Sequence, residues 1–235
     1  MATTAKDLSA LVPRHASRLG ILWRSTVGKK ALMAVTGVLL FLYVIAHMLG
    51  NLQLFVGPAA INGYARLLRV SPPLLFTARL VLLVAVLVHV LAGVQLWFRA
   101  RQARPVGYAT YRPESSSLAS RTMIWSGLLI LAFVVYHVLD LTLGVVHPDF
   151  REGEVFHNVL VRFGQVSGVI IYLVAMTALG FHLWHGVYSM FQSLGLSSRR
   201  VLHPIRRFAA GAAVVLALGF ASIPLAVILG LVGSP

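Results

Sequence analysis

Five stretches of the chain, residues 31–54, 74–98, 123–146, 166–191 and 208–231, hold between them only two formal charges, Arg79 and Asp140. Each reaches or exceeds the ~20 residues that a helix needs to cross a bilayer core at ~1.5 Å per residue. The expected fold class is therefore all-α, an integral membrane bundle of five transmembrane helices. Composition agrees: 58% of residues are hydrophobic, 11% are charged, and the mean hydropathy is +0.85. Two domains in sequence are expected: a basic N-terminal segment over residues 1–30, cytoplasmic or interfacial, and a five-helix transmembrane domain over residues 31–235.

In a soluble protein a formal charge of +14 would point to nucleic acid. Here the cations gather in the short connections between apolar runs, where they set topology, so the expected partner is the lipid bilayer and no nucleic acid. Fifteen of the twenty Lys and Arg residues fall on the side shared by the N-terminus and the connections 99–121 and 199–207. The positive-inside rule then predicts a multi-pass protein of the inner (cytoplasmic) membrane, with its N-terminus in the cytoplasm and its C-terminus outside. The first twenty residues lack an apolar core followed by a small-residue cleavage site, so no cleaved signal peptide is expected. The connections carry stop signals at Gly57-Pro58, Ser71-Pro72-Pro73, Arg104-Pro105, Arg112-Pro113, His147-Pro148 and His203-Pro204. No solenoid or inverted-transporter repeat is evident. The last run holds no ionisable residue and reads as a packing or lipid-facing helix.

Four of the runs contain a histidine beyond their midpoint: His47, His89, His137 and His182. The offset is roughly 4 to 6 Å on the helical rise. Because consecutive helices run in opposite directions, His47 and His137 share an outer level, and His89 and His182 an inner one. Two imidazoles facing each other across a four-helix core are what a six-coordinate b-type haem requires, and two levels imply two haems. Gly93 and Gly186, each four residues after an inner-level histidine, would leave room for a flat macrocycle. At the outer level Asn51 and Leu141 hold those positions, with Gly50 three residues after His47. A lone histidine in an apolar helix more often packs or relays protons, and four at matched depths outweigh that reading. A non-haem metal site would gather its ligands at one depth and add carboxylates, whereas Asp140 is the only acid in a run. The absence of cysteine excludes thiolate zinc sites, cysteine-ligated iron–sulfur clusters and covalent haem attachment within this chain. His185, one turn from His182, stays a rival ligand on spacing alone, while His15, His147, His157 and His203 read as surface residues.

The stretches KKALMAVTGVLLFLYVIAHMLGNLQLFVGPAAINGYA (29–65), SRTMIWSGLLILAFVVYHVLDL (120–141) and GFHLWHGVYSMFQSLGL (180–196) resemble the cytochrome b membrane-anchor subunit of succinate:quinone oxidoreductases, in its single-chain, five-helix, two-haem form. The resemblance implies an inner haem b held by His89 and His182 and an outer haem b held by His47 and His137. It favours His182 over His185, because Gly186, Val187 and Tyr188 follow His182 at the family's spacing. It implies an FAD-carrying flavoprotein subunit and an iron–sulfur subunit as partners, menaquinone or ubiquinone as substrate, and further oligomerisation of the complex as compatible. It also implies an electron-transfer role, with no dicarboxylate chemistry in this chain alone. Gly180 stands where some fumarate-reducing members carry a glutamate, which weakens the expectation of a proton path of that kind.

Arg79, slightly inside its run, is expected to need a partner such as a haem propionate; Lys29 and Lys30 read equally as propionate partners or interface anchors. Quinone contacts would come from Asn51, Gln53, Asp140 or His147 outside, or from Trp23, His185, Tyr188 or Gln192 inside. Two rival readings share parts of the pattern: the dihaem anchor of a hydrogenase or nitrate reductase, and a haem-free transporter with a histidine relay.

Overall fold

The computed structural model describes residues 18–103 and 117–233. The N-terminal residues before Arg18, with Lys6, Arg14 and His15, and the turn signals at Arg104-Pro105 and Arg112-Pro113 lie outside the described residues. Among the described residues there are helices and no strand: α1 (Arg18–Arg24), α2 (Thr26–Asn51), α3 (Pro58–Arg69), α4 (Pro72–Gln102), α5 (Leu118–Arg121), α6 (Met123–Leu141), α7 (Val155–Phe163), α8 (Val166–Ser193) and α9 (Leu202–Ile228). The helices α2, α4, α6, α8 and α9 are long and apolar enough to cross a membrane, α2 continuing as a 3-10 turn to Phe55.

The prolines expected to stop helices mostly start them. Pro58 opens α3 after Gly57, whose φ of 121° is closed to most side chains. Pro72 and Pro73 open α4, and Pro204 lies in the first turn of α9. A first-turn residue has no intrahelical acceptor for its N–H, so proline loses nothing there and its fixed φ suits the helix. The third span is shorter than the expected 123–146, because the chain leaves α6 after Leu141 and turns at Gly144, φ 71°. Ser25 caps the start of α2, its hydroxyl accepting from Gly28 N–H at 2.8 Å.

The two connections on the face away from α1 fold into amphipathic helices, α3 and α7, which the sequence reading passed over as short links. They bury Ile61, Val159 and Phe163 with Leu54, Val169, Tyr172 and Ile223 of the spanning segments. Asn62 of α3 accepts from the Phe156 N–H at 3.0 Å and so ties the two caps together. A second apolar core, Phe41, Met48, Leu183, Val187, Ala209, Ala213 and Leu216, joins α2, α8 and α9. α9, which has no ionisable residue after Arg207, is thus a packing helix. By contrast α4 fully buries only Ala85 and Ala92, and exposes Leu80, Leu83, Leu87 and Leu91 on a surface suited to lipid.

Where α7 meets α8 the approach is close. A Cβ at Gly168 would fall on the Arg162 carbonyl oxygen and come within 2.8 Å of Arg162 Cδ, whereas one at Gly211 of α9 would meet nothing. Gly168→Ala should therefore lower the thermal unfolding midpoint in detergent by several degrees, in line with the ~1–3 kcal/mol of overpacking. Gly211→Ala should leave it unchanged or raise it; equal shifts in both variants would contradict this packing.

Candidate functional site: two levels of paired histidines

The four span histidines meet in twos. The rings of His89 (α4) and His182 (α8) lie 6.3 Å apart between centroids, nearer the face that carries α1, and are tilted by 60°. Those of His47 (α2) and His137 (α6) lie 5.8 Å apart, nearer the face capped by α3 and α7, at 78°. It is His182, and not His185, whose ring faces His89.

Hydrogen bonds from other helices hold three of these rings by Nδ1. His89 Nδ1 lies 3.1 Å from the Met33 carbonyl oxygen and 3.4 Å from Thr36 Oγ1, both on α2. His182 Nδ1 lies 3.3 Å from Ser126 Oγ on α6, and His137 Nδ1 3.1 Å from the Tyr172 hydroxyl on α8. The direction of each bond follows from the other partner. A carbonyl can only accept. Ser126 donates its own proton to the Met123 carbonyl at 3.2 Å, and Tyr172 donates to Asp140 Oδ2 at 3.1 Å, so each hydroxyl oxygen is left to accept. Nδ1 therefore carries the proton in all three rings, and the lone pair is on Nε2, the nitrogen available to a metal. None of these rings uses a carbonyl of its own helix: each acceptor comes from a neighbouring helix, which fixes the helices against each other as well as the ring.

The spans repeat this arrangement. TGVLLFLYVIAH (36–47) on α2 and SGLLILAFVVYH (126–137) on α6 match in a hydroxyl, a glycine, an aromatic and a terminal histidine. Thr36 and Ser126 bond His89 and His182. Gly37 and Gly127 lie against the same two rings, where an added Cβ would sit 3.4 Å from Cε1. Tyr43 and Phe133 stack on His47 and His137 at 5.4 and 5.6 Å. These six residues escaped the sequence reading, although the twelve-residue match between two runs was the signal for them. Of the expected small residues, Gly186 faces open space, with nothing within 4 Å of an added Cβ, and Gly93 has only Met33 Sδ, at 3.8 Å. A cavity of about 370 Å³ opens between α6 and α8 beside Ser126, and one of about 260 Å³ between α4 and α6, with Trp125 on the wall of both.

Several expected quinone contacts are already engaged. Asp140 is fully buried and holds Arg162 of α7: Arg162 Nε donates to Oδ1 at 2.8 Å, its Nη2 bonds the same oxygen, and Nη2 also donates to the Val146 carbonyl at 2.8 Å. His147 is not a surface residue but is buried, its Nε2 donating to the Asn158 carbonyl at 2.8 Å and its Nδ1 accepting from the Asp149 N–H at 3.2 Å. His157, half-buried, bonds Asp149 Oδ2 at 2.9 Å, and that bond, with Arg151 beside it, holds the exposed Asp149 carboxyl below its usual range. The Tyr188 hydroxyl accepts from Arg206 at 3.3 Å. Arg79 is exposed on α4 and forms no ion pair among the described residues. Lys29 is buried over the Trp23 ring, 5.7 Å from its centroid, again with no acid beside it among the described residues.

Residues 100–225, more than half of the chain, match the family model described as succinate dehydrogenase/fumarate reductase transmembrane subunit. The match takes in one histidine of each pair, His137 and His182. No curated protein and no solved structure matches the chain.

The tautomers can be read directly. In haem-free ¹⁵N-histidine-labelled protein, His89, His137 and His182 should show protonated Nδ1 and unprotonated Nε2 by NMR, and Ser126→Ala should release His182 alone into a tautomer mixture. Protonated Nε2 in the parent protein would contradict the assignment.

Proposed function

The chain belongs to the succinate dehydrogenase/fumarate reductase transmembrane subunit family, and from that premise we propose that it anchors the complex in the membrane and carries electrons through two b-type haems between an iron–sulfur subunit and membrane quinone. The observation that carries the reading is the pairing of the histidines at two levels. Metal–imidazole bonds of about 2 Å on each side of an iron set two ligating rings ~6 Å apart, and the centroid separations are 6.3 and 5.8 Å. Free Nε2 lone pairs and the open space at Gly186 fit the same group. His89 and His182 would hold the haem nearer the basic face, and His47 and His137 the other.

Bound haem supplies one-electron redox chemistry. The chain's own part is to hold the imidazoles in the ligating tautomer, to keep water from the site with Leu, Val and Phe side chains, and to set the distance between the levels. Among the described residues no group of three or more His, Cys, Asp or Glu gathers as a non-haem metal site would require. The basic face, which carries Arg24 and Arg99, is the docking side for the iron–sulfur subunit, itself joined to an FAD-carrying flavoprotein; by the positive-inside rule it is cytoplasmic. Residues 1–30 are then an interfacial segment before the dihaem domain, and the membrane is the inner membrane. The family match supports this complex over the hydrogenase and nitrate reductase anchors.

Purified protein should give a b-type band in a reduced-minus-oxidised spectrum, copurify with flavoprotein and iron–sulfur subunits, and be reduced by succinate. A preparation with no b-type band would sink the haem reading. His182→Ala should remove one haem and leave the other, while His185→Ala should retain both; the reverse pattern would overturn the ligand assignment.

A further inference from the structure

The pseudo-repeat that relates α2 to α6 breaks down at the level of His47 and His137. Tyr172 stands ten residues before His182 on α8, and the matching position on α4, ten before His89, is Arg79. Likewise Asp140, three after His137 on α6, corresponds to Gly50 on α2. One histidine of this pair has therefore acquired a buried polar chain that the other lacks. From His137 Nδ1 the chain runs to the Tyr172 hydroxyl (3.1 Å), to Asp140 Oδ2 (3.1 Å), and through Oδ1 to Arg162. Tyr172, Asp140 and Arg162 are all buried, at 6%, 0% and 5% exposure. Among the described residues His47 has no hydrogen-bond partner of this kind; its ring is stacked on Tyr43.

The chain is polarised in one direction. The Asp140 carboxylate accepts a hydrogen bond from the Tyr172 hydroxyl, which enriches the phenol oxygen as an acceptor, and that oxygen accepts in turn from the Nδ1–H of His137. An acceptor backed by a carboxylate raises the basicity of a ligating imidazole, and low dielectric strengthens each bond in the chain. The level of His89 and His182 has no such backing: its acceptors are a neutral carbonyl and neutral hydroxyls.

We propose that Tyr172, held by the Asp140–Arg162 pair, is a positioning residue for His137 that makes this imidazole the stronger donor of its pair and lowers the reduction potential of the haem it ligates. A more basic imidazole favours ferric over ferrous iron, so removing the chain should raise the midpoint. The proposal rests on the haem reading above.

The test uses the whole complex, titrated optically and by electron paramagnetic resonance. Tyr172→Phe keeps the ring and removes the hydroxyl; the double variant Asp140→Asn with Arg162→Gln removes both charges together and leaves neither buried alone. Both should retain two haems and raise the midpoint of one, by up to a tenfold change in the ferric-to-ferrous ratio at fixed potential, ~59 mV for one electron. The haem that moves must be the one that His137→Ala removes. Unchanged midpoints in either variant, a shift confined to the other haem, or loss of a haem in Tyr172→Phe would overturn the proposal and leave the dihaem reading standing. A parent complex without a b-type band would overturn both.

Discussion

No water reaches the core of a bilayer, so each polar group that a spanning helix carries inward has to be met by the protein. In this chain that requirement does more than tolerate the polar residues: it decides how the helices are registered. His89 is met by α2, His182 by α6 and His137 by α8. Apolar contacts between helices in lipid lack the hydrophobic drive that they have in water, and a slide of one turn along a helix costs them little. A hydrogen bond to one particular nitrogen does not survive such a slide. The buried Asp140 adds the strongest tie, since an unpaired carboxylate there would be costly and breaking such a pair destabilises by about 3–5 kcal/mol. It draws Arg162 of α7 into the bundle, and with it the amphipathic cap on that face.

The same bonds settle chemistry. A neutral imidazole can present either nitrogen, and which one is presented follows from what the other is given. Ser126 and Tyr172 could each donate to histidine in principle. Both are prevented because their protons go to Met123 and Asp140. The tautomer with a free Nε2 is therefore fixed by the protein's own hydrogen bonds, and the ring is held in one orientation.

Much of this was legible in the sequence. The five apolar runs mark the spans, and the alternating direction of consecutive helices is enough to pair His47 with His137 and His89 with His182. Three things were not legible. The caps α3 and α7 are short and of mixed polarity, and their helical faces emerge only against the spans that they cover. Arg162 looked like one more topological cation because its partner is twenty-two residues away, although an acid inside a span needs a cation within reach. Thr36, Gly37, Ser126 and Gly127 each lie on a different helix from the ring they touch, so spacing along the histidine's own helix does not point to them.

Their placement has a geometric reason. Ten residues of helix are ~15 Å, and on α2, α6 and α8 this interval separates residues that serve different levels: Gly37 and His47, Gly127 and His137, Tyr172 and His182. Each of these helices supplies an imidazole at one level and a contact to an imidazole at the other. The two levels are therefore not separate sites stacked in one bundle. Three rigid rods span both, so the separation between levels is fixed by helical rise, and a shift of any one rod would disturb a ring at each end. Only α4 departs from the scheme, with Arg79 where α8 has Tyr172, and it is also the helix that buries least. The consequence is a bundle whose three best-anchored helices set the geometry, with the fourth completing one pair from the side.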